Sequence, residues 1–257
     1  MTHPAALVLD MEGVLHVDWQ ALPGAPEAVR DLRAAGVEAA ILTNTTGKTR
    51  DAISGRLREM GIEIGPERVV TAASATADHV RRAHPGTPVC LLGEPGAAAE
   101  FAGVDLVDDP GAAGVLVLGG PDRSLTYERL NGAFRVLREG VPLVAMQRNR
   151  WWPTAAGPAM DAGGFVAALE YAAEVEATVV GKPSPEIFRV ALGLLGAEPA
   201  AAVMVGDDLV SDLRPAAAVG LRTCLVRTGK GGTFQPSPGE VDFDAPDLAQ
   251  FVAGLLA

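Results

Sequence analysis

Ala6-Leu7-Val8-Leu9-Asp10-Met11-Glu12-Gly13 is the stretch that decides the fold. Four apolar residues without a polar break read as a strand buried on both faces, as in a parallel sheet. That strand delivers Asp10 and Glu12 at its C-terminal end, the end at which open α/β sheets bind their ligands. Two acids one residue apart would set a group able to attack beside a group able to manage a proton. Alone they would read as a solvated turn, so the reading depends on what else the chain brings to the same edge.

Working outward, Val14 to Leu22 is irregular, and Pro23-Gly24-Ala25-Pro26 introduces a helix that turns Val29 and Leu32 to one face and ends at Gly36. Val37 to Leu42 is the next strand, closed by Thr43-Asn44-Thr45-Thr46-Gly47-Lys48-Thr49. A helix with Ile53, Leu57 and Met60 follows, then a strand around Arg68 to Thr71, which completes a βαβαβ run. Ser74 to Ala83 is a further helix. A second α/β set then begins, with strands expected near Val89–Leu92, Val104–Val107, Gly114–Leu118 and Pro142–Met146. Ser124 is read as the cap of a helix lined by Tyr127, Leu130, Phe134 and Leu137, and Gln147 to Asp161 as a loop. The first pattern resumes with strand Ala177–Val180, Gly181-Lys182-Pro183-Ser184-Pro185, a helix to Leu195, strand Ala202–Val205 and Gly206-Asp207-Asp208. A helix capped by Ser211, a strand from Leu221 to Val226, an irregular crossing from Gly229 to Pro246 and a helix from Leu248 to Leu256 close the chain.

With 257 residues, 48% of them hydrophobic, the chain can bury a large core, and a net charge of -11 argues against a nucleic-acid surface. No apolar run reaches the roughly 20 residues that span a bilayer, and the N-terminus lacks a basic region and a cleavage site, so a cytoplasmic protein without membrane partners is expected. Cys90 and Cys224 lie in apolar segments and are read as buried free thiols. His3, His16, His79 and His84 show no ligand spacing and are read as surface residues. Trp151 and Trp152 are read as packing, and Arg148 and Arg150 beside them as surface.

The strand ends thus present Asp10 with Glu12, Thr43 with Asn44, Lys182, and Asp207 with Asp208 and Asp212. Acids and a lysine at one edge suit phosphoryl transfer to a carboxylate: the carboxylate attacks phosphorus, and a divalent cation cancels the repulsion between the two anions. Lys182 and the Thr43 hydroxyl would hold the equatorial oxygens, with Asn44 beside them. Magnesium suits such oxygen ligands.

The order DxEG, TNTT, GKPSPEIF, VGDDLVSD resembles the four motifs of the haloacid dehalogenase superfamily, whose members are mostly magnesium-dependent phosphatases. The insertion resembles the large α/β cap of the p-nitrophenylphosphatase branch. Within that branch AMDAGGFVAALEYA and LVRTGK look most like the phospholysine phosphohistidine inorganic pyrophosphate phosphatase group. The resemblance implies an α/β fold, a doubly wound parallel-sheet (Rossmann-like) core at residues 1–81 and 179–257 with an inserted α/β cap domain at 82–178. It implies Asp10 as nucleophile, Thr43 and Lys182 as phosphate binders, and Mg2+ held by Asp10, Asp207 and the backbone carbonyl of Glu12. Asp208 and Asp212 would support them. A small phosphorylated substrate and a homodimer formed through the cap follow from the same resemblance, and the apolar Gly114–Leu118 strand and the Phe134 helix are compatible with that dimer.

One residue departs from the pattern, because Glu12 stands where the superfamily usually has Asp. The usual residue protonates the leaving group and then activates water, a role worth about 10²- to 10⁴-fold. Glutamate brings the same chemistry with one more methylene, so its carboxyl must fold back or displace its neighbours. A working but slowed phosphatase is expected, best with pyrophosphate, phosphoramidates or aryl phosphates, and a phosphate-metabolite sensor of the same fold is the alternative. Thr46-Gly47-Lys48-Thr49 resembles the end of a P-loop, but Leu42 occupies the position of its first glycine, which sets aside a nucleotide triphosphatase.

Overall fold

The computed structural model describes residues 4–154 and 157–257, so His3 lies outside the described residues. The chain divides into two compact units: residues up to Thr43, Arg50–Val70 and Lys182–Ala257 form one, and Asn44–Thr49 with Thr71–Gly181 the other. The first takes in most of the expected core. The second includes the helix Ala72–Ala83, all but the last turn of which falls in the expected 1–81 segment, and which packs on the Pro95–Phe101 turn of its own unit.

The first unit is built on a six-stranded sheet in the order Phe243–Ala245, Arg222–Val226, Ala202–Gly206, Ala6–Asp10, Glu38–Thr43, Val69–Thr71. Pairing is parallel from Phe243–Ala245 through Glu38–Thr43. Ala6–Asp10 is wholly buried, as its unbroken apolar run requires. The chain leaves this strand on one side, towards Glu38–Thr43, and returns on the other at Ala202–Gly206, so the order of strands reverses at Asp10. A crevice opens at the carboxyl ends where such a reversal occurs. Helix Ala25–Ala34 buries Val29 and Leu32, and Leu7, Leu9, Ile41, Val203 and Val205 belong to the same core.

The second unit carries its own parallel sheet, ordered Thr178–Val179, Leu143–Ala145, Val115–Leu118, Val89–Leu92. Leu92, Leu116, Leu118, Ala133, Leu137 and Val166 fill its core.

Several local expectations are corrected. Val104–Val107 forms only a single bridge, Leu106 to Val89, because it lies outside the last strand and pairs with one residue of it. Thr126, not Ser124, caps the helix Tyr127–Arg138, accepting from the Arg129 amide, while the Ser124 amide is spent on Asp122. The Gln147–Asp161 loop contains an antiparallel hairpin, Trp151–Thr154 with Gly157–Met160, closed at its base by a bond of 2.7 Å from Gln147 Nε2 to Asp161 Oδ1. Trp151 and Trp152 stand out from it, 59% and 38% exposed, and so do not pack as the sequence suggested. Arg148 pairs with Glu170. Asp208, not Ser211, caps the turn that follows the Ala202–Gly206 strand. The Gly229–Pro246 crossing contains the edge strand Phe243–Ala245, held by Arg227 pairing with Asp244. Val115–Leu118 is buried between two other strands, so it cannot form an intermolecular surface. Cys90 and Cys224 are buried and free.

Candidate active site

The register of the sheet sets the site. Leu9 lies level with Val205 and Asp10 with Leu42, so Asp10, Thr43 and Asp207 leave three adjacent strands within a residue or two of one level. Lys182 comes from the loop before helix Pro185–Leu195, which is capped by Ser184 and packs on Glu38–Thr43 and Ala6–Asp10. Its ammonium reaches Asp10 Oδ1 at 2.5 Å and Asp212 Oδ1 at 2.8 Å, with all three residues buried.

Asp212 arrives on a widened turn of π type, Leu209–Leu213, in which Leu213 N–H reaches back to the carbonyl of Asp208. The Asp208 carboxylate fixes that turn by accepting from the Val210 and Ser211 amides at 2.8 and 3.1 Å. Asp207 is gripped differently. Its Oδ2 accepts from the Lys230 amide at 2.7 Å, and it lies so close to Gly13 and Gly229 that a Cβ on either would overlap it. Both glycines have positive φ, 83° and 54°, so they are required by backbone shape as well as by space. The Thr228 hydroxyl donates to the Gly13 carbonyl at 2.6 Å, tying the two glycine segments together.

Charge in this crevice does not balance. Asp10, Asp207 and Asp212 each offer a carboxylate oxygen, all within 4.8 Å of one another, against the single buried ammonium of Lys182. Burial and the nearby Asp10 charge push Asp207 up to about 6, with Lys230 and Lys182 opposing. Burial raises Asp212 too, against the pull of Lys182. Lys182 is pushed the other way: burial would lower it, but the Asp10 and Asp212 charges outweigh that and hold it firmly protonated. Both Asp212 oxygens are buried without a hydrogen bond of acceptable geometry, although the ammonium stands close to one of them. Buried acceptors in surplus are what a hard, oxygen-seeking dication would satisfy. The residues present therefore fit magnesium, and Asp212 joins Asp10 and Asp207 as a candidate ligand that the sequence had placed only in support.

Glu12 lies just past the strand, its carboxylate held by the Asp18 amide at 3.0 Å and His16 Nδ1 at 3.1 Å. Burial would raise its carboxyl, but these two donors outweigh it and hold it below the ordinary range. His16 is fully buried, a correction to its reading as surface. Thr43 is buried at its strand end, whereas Asn44 belongs to the second unit, where its Oδ1 lies close to Gly181.

Comparison with known proteins fixes the family. A family model described as haloacid dehalogenase-like hydrolase matches residues 7–107, and one described as HAD-hydrolase-like matches 179–250. Haloacid dehalogenase-like hydrolase domain-containing protein 2 of Homo sapiens is 38% identical over 225 residues, 88% of this chain and 85% of that one. The chain belongs to the haloacid dehalogenase-like hydrolase family. Phospholysine phosphohistidine inorganic pyrophosphate phosphatase of Rattus norvegicus is 35% identical over 236 residues, 90% of this chain and 84% of that one. Among solved structures, p-nitrophenyl phosphatase from Archaeoglobus fulgidus superposes with a TM-score of 0.88 at 28% identity, covering 98% of this chain and 99% of that one. NagD from E. coli K-12 superposes at 0.87 with 25% identity, covering 97% and 98%. This haloacid dehalogenase-like hydrolase is thus an enzyme of the phosphatase type, in the p-nitrophenylphosphatase-like branch, with an α/β Rossmann-like core and a cap.

Proposed function

We propose that the enzyme is a magnesium-dependent phosphatase that transfers the phosphoryl group of a small phosphate ester, a phosphoramidate or pyrophosphate to Asp10 and then to water. The observation that carries this is the buried Lys182 ammonium joined to Asp10 and Asp212 beside Asp207. Asp10 attacks phosphorus and the P–O or P–N bond to the leaving group breaks. Lys182 and Thr43 hold the equatorial oxygens as charge shifts onto them. Glu12 delivers a proton to the leaving group and then takes one from the water that cleaves the aspartyl-phosphate, which frees Asp10 and phosphate. Asp10, Asp207, Asp212 and the Glu12 carbonyl would hold magnesium, which when bound supplies the positive charge that lets an anion approach a phosphate.

Two buried free thiols support a reducing compartment, and among the described residues no helix is long and apolar enough to cross a membrane, in keeping with a cytoplasmic enzyme. We also propose a homodimer through the cap. Trp151, Met160 and Tyr171, exposed on the second unit, are residues it could cover.

The test is hydrolysis of p-nitrophenyl phosphate with and without Mg2+, beside Asp10→Asn. Metal-dependent turnover that vanishes in the variant is expected. The extra methylene of Glu12 at the position of the usual aspartate favours one rival, a phosphate-metabolite sensor; saturable phosphate binding with no turnover by the unaltered protein would establish it and overturn the phosphatase.

A further inference from the structure

His16 is the buried titratable side chain that the steps above leave without a task. Its ring is wholly enclosed and stacks on Trp19, with centroids 4.6 Å apart and planes inclined by 18°. The Arg56 guanidinium covers the other part of the arrangement, 5.5 Å from the Trp19 ring centre. His16 Nδ1 lies 3.1 Å from Glu12 Oε2, the Trp19 amide points its N–H at the same nitrogen from 3.3 Å, and Nε2 is buried without a partner.

The two contacts ask opposite things of Nδ1: the Trp19 amide is placed to donate to it and the carboxylate can only accept from it, and the shorter contact, to the carboxylate, requires a hydrogen there. The unpartnered Nε2 is then a bare lone pair, which is less costly to bury than an orphaned N–H. An imidazole sealed in this way cannot itself reach a substrate, so any effect it has on the reaction passes through Glu12.

The backbone is bent to complete the grip. Asp18 and Trp19 take positive φ values of 54° and 58°, a region that side-chain-bearing residues enter at a cost, and the Asp18 amide points at Glu12 Oε1, 3.0 Å away. Glu12 is thus folded back along its own loop onto donors four and six residues ahead, which takes up the methylene by which it exceeds aspartate. It remains 59% exposed, so a substrate can still meet the carboxylate that the clamp has placed.

We propose that His16 is the positioning residue for Glu12: its Nδ1–H, with the Asp18 amide, fixes the longer carboxylate where it can serve the leaving group. The proposal rests on Glu12 as the proton donor, and the experiment separates the two. Asparagine places an amide nitrogen where Nδ1 stands and glutamine places one near Nε2, so His16→Asn retains the donor and His16→Gln misplaces it, both variants being polar and of tolerable size.

The measurement is kcat/KM, which reports the step in which the leaving group departs, for glycerol phosphate and for p-nitrophenyl phosphate, with Mg2+ present. Glu12→Gln is expected to lower the glycerol phosphate value about 100-fold and the aryl value far less, since only the alkoxide needs the proton. His16→Gln is expected to lower the ratio of the two by about tenfold, His16→Asn to keep it within about threefold, and Glu12→Gln/His16→Gln to be no worse than Glu12→Gln alone. Equal losses on both substrates, a His16→Asn as selective in its damage as His16→Gln, or additive effects in the double variant would overturn the positioning role and leave a staple for the loop. No selective loss in Glu12→Gln would instead overturn Glu12 as the acid. Should His16→Gln fail to fold, His16→Leu, which fills the space without a donor, takes its place: a tenfold fall in its ratio beside an unchanged His16→Asn upholds the clamp, and a ratio within threefold overturns it.

Discussion

At the scale of single residues, the site is a problem of fitting carboxylates together. Asp207 is held from one side by a peptide N–H and from two others by backbone that has no side chain. Gly229→Ala would press a methyl into Asp207 Oδ2 and the Gly13 backbone and demand a left-handed alanine besides, so the carboxylate must turn and the two glycine segments must part. The expected outcome is at least a tenfold higher Mg2+ requirement, read from a titration of activity against metal concentration. Asp10 and Asp207 were legible in the sequence because each follows a strand whose apolar run is unmistakable, whereas Lys182 was read from its motif: the strand before it, Thr178–Val179, is short and belongs to the second unit's sheet, not to the first as expected. Asp212 was legible as an acid but not as a partner of Lys182. Nothing in its spacing reveals that the chain widens into a π-type turn there and swings the carboxylate inwards. His16 was missed for a related reason: one histidine in a short irregular segment has no period to betray burial, and its cover, Trp19, comes from a left-handed turn.

At the scale of elements, caps and edges account for the differences between pattern and structure. Two hydroxyls stand two residues apart before the helix Tyr127–Arg138, and only the second has its oxygen over the first turn. Thr126→Ala should therefore cost about 1 kcal/mol in urea denaturation, and Ser124→Ala close to nothing. The helices read best from sequence were those with a strong apolar stripe and a glycine stop, such as Ala25–Ala34 before Gly36. Short strands read worst. Phe243–Ala245 hides in a stretch rich in glycine, proline and acids, and it pairs because Arg227 draws Asp244 to the sheet edge, a tertiary cause that local composition does not carry. Val104–Val107 shows the converse, a β-rich run with too little neighbouring strand to pair with.

At the scale of the molecule, the surplus of buried carboxylates couples stability to pH and metal. Asp207 is raised to about 6 in the fold from an ordinary value of 3.8, so the folded protein binds its proton more tightly than the unfolded chain does. The stabilisation is complete below the unfolded value and is lost as pH rises through about 6, a change of at most about 3 kcal/mol. In the substrate-free protein Asp208 and Glu12, held below their ordinary values, act in the opposite sense, but both are already ionised above pH 5, so Glu12 takes up the proton it delivers only when an anionic phosphate arrives beside it. Metal-free protein should therefore melt at a lower temperature at pH 7.5 than at pH 5, and Mg2+ should restore more at pH 7.5, as differential scanning calorimetry would read directly. The overall architecture was legible because βαβ periodicity repeats on both sides of the insertion. Which unit the helix Ala72–Ala83 packs with was not, since its stripe is the same either way. The strand order carries a further consequence, for birth rather than for catalysis. Ala6–Asp10 must pair with Ala202–Gly206, and Asp10 must meet Lys182, 172 positions later in the chain. At about 5 to 20 residues per second, Ala6–Asp10 waits roughly 10 to 40 s after its synthesis for its far neighbour. Thr71–Gly181, an unbroken stretch, can condense in that interval. Until the last third of the chain emerges, the nascent protein carries an open, apolar parallel edge, the kind of surface that chaperones cover and that aggregates recruit.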